Sequence, residues 1–190
     1  MNILSLANNK GSEAVHTIEG SKQKPKITFR KPLREDGAAI WDLIASCHPL
    51  DENSMYCNLI QCDHFRDTCI LAEMDGVPVG WISAYVMPSD EETLFVWQVA
   101  VSEQARGQGL GSRMLKVLTE REECESVNRL QTTITLSNDA SWALFGKFSK
   151  AIGGKLKSQP HYTREDHFDG RHATEHMVTI DFAEALKRAA

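Results

Sequence analysis

Apolar and polar residues alternate over Ile27-Thr28-Phe29-Arg30, which predicts a short strand. After Pro32 the period lengthens: over residues 36–46, Ala39, Ile40, Leu43 and Ile44 fall on one helical face. The polar stretch His48–Ser54 reads as a turn, with Asn53 or Ser54 capping a second helix through Tyr56, Leu59, Ile60 and Phe65. Strands are predicted over residues 68–74, 79–86 and 93–101, divided by the turns Asp75-Gly76-Val77-Pro78 and Pro88-Ser89-Asp90. The third, TLFVWQVAV, is apolar enough to lie in the middle of a sheet. A polar loop, Ser102–Gln108, then leads into a helix from Leu110 to Cys124 with an apolar stripe at Leu110, Met114, Leu115, Val117 and Leu118. Leu130–Leu136 is β-branched and reads as a strand. Asn138–Ser149 reads as a helix that stops before Gly153-Gly154, and the alternation from Tyr162 to Phe182 as two closing strands.

Three hairpin-linked strands followed by strand–helix alternation predict one α/β domain over residues 27–182. Its sheet is expected to be mixed, mostly antiparallel and flanked by helices. Residues 1–26 lack periodicity and are rich in Lys, Ser, Gly and Asn, so a mobile leader is expected there, with a short tail at 183–190. The leader has no apolar core of secretory type and no stretch approaches the roughly 20 apolar residues that span a bilayer, so a cytoplasmic protein without a membrane partner is expected. Lys and Arg total 21 against 26 Asp and Glu, a net charge of −5, and basic runs are lacking; nucleic acid is a poor partner for such a surface. Five cysteines, Cys47, Cys57, Cys62, Cys69 and Cys124, show no C-x-x-C pair. They read as small buried side chains rather than a metal site, although His48 and His64 lie near four of them.

The densest chemistry is Arg106-Gly107-Gln108-Gly109-Leu110-Gly111-Ser112, after a buried strand and at the start of an amphipathic helix. Alternate glycines let a ligand approach the backbone, and the free N–H groups of a helix start favour an anion. A dinucleotide fold would carry G-x-G-x-x-G in its first strand–helix unit, and a phosphate-binding loop would carry Lys-Ser/Thr; neither is present.

This segment matches the R-x-x-G-x-G diphosphate loop of the GCN5-related N-acetyltransferase (GNAT) superfamily, and the predicted element order is similar to that fold. Asn138-Asp139-Ala140-Ser141-Trp142-Ala143-Leu144-Phe145 resembles the superfamily's N-x-x-A-x-x-L-Y segment. Leu50-Asp51-Glu52-Asn53-Ser54, Phe95-Val96-Trp97-Gln98-Val99-Ala100-Val101 and Thr132-Thr133-Ile134 narrow the resemblance to the branch that acetylates L-2,4-diaminobutyrate in ectoine biosynthesis. The resemblance spans about Ile27 to Phe182. It implies a cytoplasmic homodimer using acetyl-CoA and no metal. It also implies a cofactor-binding set of Gln98, Val99, Ala100, Val101, Arg106, Gly107, Gln108, Gly109, Leu110, Gly111, Ser112, Asn138, Ser141 and Phe145.

Acetylation of an alkylamine needs a neutral nitrogen, although such a group has a pKa of about 10.4, and a fixed donor for charge developing on the acyl oxygen. The resemblance places that donor at the Val99 N–H. Asp51, Asn53, Ser54, Tyr56 and Trp97 are candidate substrate-binding residues, and the resemblance adds His172 and Glu175, which are similar to the family's His and Glu in the segment Arg171–Glu175. Glu175 is the first candidate to hold the ammonium and relay its proton, and Tyr56, in the turn-to-helix segment, is a further catalytic candidate. Trp97 also reads as a core residue and Asp51 as a helix-entry cap. Phe145 stands where many superfamily members carry a proton-donating Tyr, so the leaving thiolate must take its proton elsewhere. Two alternatives remain open on this reading: an acetyltransferase for another small diamine or amino acid, and a non-catalytic acyl-CoA-binding module.

Overall fold

The computed structural model describes residues 25–183. The expected leader up to residue 24, and the tail beyond residue 183, lie outside the described residues. Seven strands, β1 (Ile27–Arg30), β2 (Ile70–Met74), β3 (Val77–Met87), β4 (Asp90–Val101), β5 (Arg129–Thr135), β6 (Lys155–Tyr162) and β7 (Glu175–Asp181), form one sheet in the order β1-β2-β3-β4-β5-β7-β6. All neighbours are antiparallel except β4 and β5. Helices α1 (Gly37–Ala45) and α2 (Met55–His64) precede β2, α3 (Leu110–Thr119) joins β4 to β5, and α4 (Asp139–Ala151) joins β5 to β6.

The period-2 pattern divides the sheet's side chains between two cores. Ile70, Ala72, Val79, Ile82, Leu94, Val96, Leu130 and Val178 pack with Leu110, Met114, Leu115 and Leu118 of α3 and Phe145 and Phe148 of α4. On the other face Leu71, Trp81 and Ala100 pack with Ile40, Leu43 and Ile44 of α1 and Cys62 of α2. Four of the five cysteines are buried and Cys57 partly so; burial pushes the Cys62 and Cys69 thiols up to about 12, so both are inert packing groups.

Local chemistry sets the element ends. Ser54 caps α2 by accepting from the Cys57 N–H, and Asn138 caps α4 by accepting from the Ser141 N–H. Asp51 is therefore not the cap. The turn between β2 and β3 is shorter than expected, because Asp75 and Gly76, both at positive φ, make a two-residue connection and leave Val77 and Pro78 in β3. Pro78 is tolerated there because the register shifts beside it. Helix α3 stops at Thr119 instead of reaching Cys124. The Thr119 hydroxyl bonds back to the Leu115 and Lys116 carbonyls, and Arg121 turns to donate to the Asp67 and Cys69 carbonyls. Helix α4 ends with Gly153 at φ 64° and the Gly154 N–H donating to the Ser149 carbonyl.

Candidate active site

Two departures from regular sheet geometry create the site. Strand β4 pairs with β5 only from Thr93 to Phe95, opposite Arg129 to Gln131. Beyond that point the two parallel strands separate. On the other side, Ala84 pairs with Val96 but Ser83 pairs with Gln98, so Trp97 is the extra residue of a β-bulge. One inserted residue inverts the alternation downstream. Before the bulge Leu94 and Val96 face the α3–α4 core; after it Val99 and Val101 do, and Ala100 joins the α1 core.

The bulge thereby aims Val99 and Val101 into a cleft of about 530 Å³ between β4, the start of α3 and α4. Its walls include Arg106, Gly107, Gly109, Leu110, Gly111, Ser112, Asn138 and Ser141, and, from the α1–α2 connection, Cys47 to Leu50. The glycine loop is shaped for close approach. Gly107 and Gly109 have φ of 75° and 69°, which L side chains rarely adopt. The first α3 bond that Gly109 receives comes from the Arg113 N–H, so the intervening amides of residues 110 to 112 lack partners within the helix and mark the positive end of its dipole. Gly111 serves packing: a Cβ there would lie 3.0 Å from Leu144 Cδ1. Arg106 points its Nε at the Val101 carbonyl, 3.1 Å away, and ties the loop to the end of β4.

Four residues of the expected cofactor set stand elsewhere. Ala100 is fully buried in the α1 core, and Gln98 follows it to that face, because the bulge reverses their parity. The Gln108 side chain turns back to donate to the Gln104 carbonyl. Phe145 is 2% exposed and packs with Phe148 against the sheet. The α4 stripe that does line the cleft is Ala140, Ala143, Leu144 and Lys147. Lys147 is a residue that motif reading misses. Its Nζ lies 3.9 Å from where a Cβ on Gly109 would sit, which puts a cation beside the unpartnered amides at the start of α3. Helical spacing onward from Ala140 could have found it.

Of the substrate candidates, Asp51, His172 and Glu175 are brought together by the structure. Glu175 opens β7, opposite Thr135 of β5. Its Oε2 is buried without a hydrogen-bond partner, and its Oε1 is 3.9 Å from His172 Nε2. The His172 Nδ1 donates to the Ala173 carbonyl at 2.7 Å, which holds the ring with its Nε2 toward the carboxylate. Burial pushes the Glu175 carboxyl above the ordinary carboxylate range; the His172 charge opposes this and Asp51 reinforces it. Asp51, His172 and Glu175 therefore share one electrostatic environment. Asn53 is held by its carbonyl to Trp41 Nε1 and by its amide to Gln98. The Ser54 hydroxyl is engaged as the α2 cap. Trp97, at 50% exposure, is no core residue, and Tyr56 is more exposed still.

Residues 37–149, more than half of the chain, match the acetyltransferase (GNAT) family. A L-2,4-diaminobutyric acid acetyltransferase of Vibrio cholerae is 47% identical over 159 residues, covering 83% of this chain and 92% of that protein. The chain belongs to this family of acetyltransferases. Its counterpart in Methylotuvimicrobium alcaliphilum is 46% identical over 156 residues, covering 82% of this chain and 91% of that enzyme. The solved diaminobutyrate acetyltransferase EctA of Paenibacillus lautus, in complex with its substrate L-2,4-diaminobutyric acid and coenzyme A, superposes with a TM-score of 0.79 at 38% identity. That likeness covers 83% of this chain and 95% of that one. The acetyltransferase thus has the GNAT fold that its element order predicted. No helix among its described residues is long and apolar enough to cross a membrane.

Proposed function

We propose that this acetyltransferase moves the acetyl group of acetyl-CoA to the 4-amino nitrogen of L-2,4-diaminobutyrate, a step of ectoine biosynthesis, by direct attack and without an acetyl-enzyme. The observation that carries the reading is the junction of two features where β4 and β5 part: a cleft on the α3–α4 side walled by unpartnered helix-start amides and Lys147, and the carboxylates Asp51, next in sequence to the cleft residue Leu50, and Glu175.

The cleft fits a nucleotide diphosphate with a narrow arm. A Cβ on Gly107 or Gly109 would meet strain at positive φ, and Lys147 supplies charge beside the free amides. Residues 109 to 112 and Lys147 would hold the diphosphate, while Val99, Val101 and Ala143 would border the arm. When bound, acetyl-CoA supplies an activated acyl thioester. The Val99 N–H is the donor for charge that builds on the acyl oxygen.

Glu175 and Asp51 attract the ammonium groups of the acceptor. Glu175, made more basic by burial, also accepts the proton that the reacting nitrogen must lose. Tyr56 and Trp97 offer aromatic surface to the remaining ammonium. Phe145 has no proton to give and sits in the core, so the leaving thiolate takes its proton from another group or from solvent. The enzyme works as a homodimer on this reading, with the almost wholly exposed edge strand β6 available for contact; light scattering checks this.

The test is product analysis by mass spectrometry and NMR, offering acetyl-CoA with diaminobutyrate, ornithine, lysine or spermidine. The reading requires the 4-acetyl derivative of diaminobutyrate as the favoured product. Preference for another amine would replace the substrate, and no product from any amine would leave a binding module.

A further inference from the structure

Residue 98 adjoins Val99 on the donor strand, yet its side chain serves the opposite half of the site. Gln98 Nε2 donates to the Asp51 carbonyl at 2.8 Å, and its Oε1 accepts from Asn53 Nδ2 at 3.2 Å. A second hold, Trp41 Nε1 on the Asn53 carbonyl at 3.0 Å, comes from α1. Segment 51–53 therefore hangs between β4 and α1, and the Asp51 carboxylate that it carries acts on Glu175. The Trp97 bulge is what turns Gln98 to this face.

We propose that Gln98 is a positioning residue that fixes the distance between the Val99 donor and the acceptor-holding segment, and thereby decides which amine of a diamine is acetylated. The inference rests on the diaminobutyrate reading above. Of that molecule's two amines, the 2-amino group beside the carboxylate is the weaker base, so it is neutral more often at neutral pH. Reactivity alone would favour it. Selection of the 4-amino group must come from position, because attack requires the nitrogen about 3–3.5 Å from the acyl carbon, and a displacement of about 1 Å costs on the order of 100-fold. A side chain that bonds the acceptor segment in two places, one residue from the oxyanion donor, sets that distance directly.

The experiment compares wild type with Gln98→Met, which keeps the length and removes both bonds, and Gln98→Glu, which keeps only the acceptor toward Asn53. Steady-state constants are measured separately for acceptor and acetyl-CoA, and NMR resolves 2-acetyl from 4-acetyl product. Losing two hydrogen bonds predicts an acceptor kcat/KM about tenfold lower for Gln98→Met, with the acetyl-CoA KM within about twofold of wild type. The 2-acetyl product rises from trace to a measurable share, and Gln98→Glu falls between. Unchanged acceptor constants with only 4-acetyl product would overturn the proposal, as would a fall shared equally by both substrates and accompanied by a lower Tm. Should Gln98→Met fail to fold, Trp41→Phe releases the same segment without touching β4 and must shift the acceptor KM and product ratio alike. If the wild-type enzyme prefers a different diamine, the substrate reading falls on its own. The same comparison on that diamine then decides the role of Gln98.

Discussion

Replacing Gly109 with Ala separates the two demands placed on the glycine loop. The added Cβ finds room, since its nearest neighbour is Lys147 Nζ at 3.9 Å. What remains is conformational: φ is 69°, and holding an L-residue in the left-handed region costs about 1–2 kcal/mol. The chain can bear this cost in two ways. If the loop keeps its shape, the folded protein loses that stability, and with about 2–4 °C per kcal/mol for a domain of this size the Tm of the ligand-free enzyme drops by about 2–8 °C. If the loop relaxes, the amides at the start of α3 turn away from the diphosphate, and coenzyme A binds about 5- to 30-fold more weakly, the same energy at 1.36 kcal/mol per decade. Calorimetric titration of coenzyme A and thermal unfolding of the apo-enzyme measure both routes, and their losses should sum to the backbone cost. Gly109→Asn should lose less, because Asn visits this region more readily. An alanine variant with unaltered Kd and unaltered Tm would show that the positive φ is not needed, and the account of the anion site would fail with it.

Lys147→Ala should weaken coenzyme A binding about three- to tenfold at low salt, with the difference shrinking in 1 M salt, as expected for a partly exposed charge pair; a salt-independent loss in titration calorimetry would argue for a packing role. Because Glu175 sits above the usual carboxylate range through burial, the acid limb of kcat/KM should lie above that of an ordinary glutamate. His172→Gln removes an opposing positive charge and should move the limb up, whereas Asp51→Asn removes a reinforcing negative charge and should move it down; shifts in the same direction would contradict the assignment. Arg30 clasps Asp36 and Glu73, and its hydrogen bond to Asp36 holds that carboxyl below the ordinary 3.8. A depressed folded value adds stability above the unfolded pKa and loses it as pH falls through the folded one. Arg30→Met should therefore cost about 2 kcal/mol in urea unfolding at pH 7, and less as Asp36 protonates in acid.

Much of this site can be read from residues in a row. The glycine loop, the caps at Ser54 and Asn138 and the element order depend on neighbours a few positions apart, where periodicity and capping chemistry are local. Features that depend on pairing partners are different. The string TLFVWQVAV is largely apolar in both phases, and only the register against Ser83 and Ala84 puts the inserted residue at Trp97 and moves Gln98 and Ala100 out of the cleft. Phe145 and Lys147 are two residues apart on α4, and the rotation of that helix on the sheet, set by Phe148 and its core contacts, decides which of them lines the cleft. The neighbours of β7 were likewise illegible, since an alternating segment records one buried face and not which strands flank it.

That last strand has a consequence for how the enzyme is made. β7 follows both β5 and β6 in chain order and so leaves the ribosome after them, yet it slots between the two, and it carries Glu175. A nascent chain can assemble its coenzyme-binding half while two sheet edges still await their shared neighbour. With Glu175 in the role proposed above, the acceptor side of the site is complete only once residues 175–181 zip into the gap, so a chain truncated before Glu175 should bind the donor without spending it.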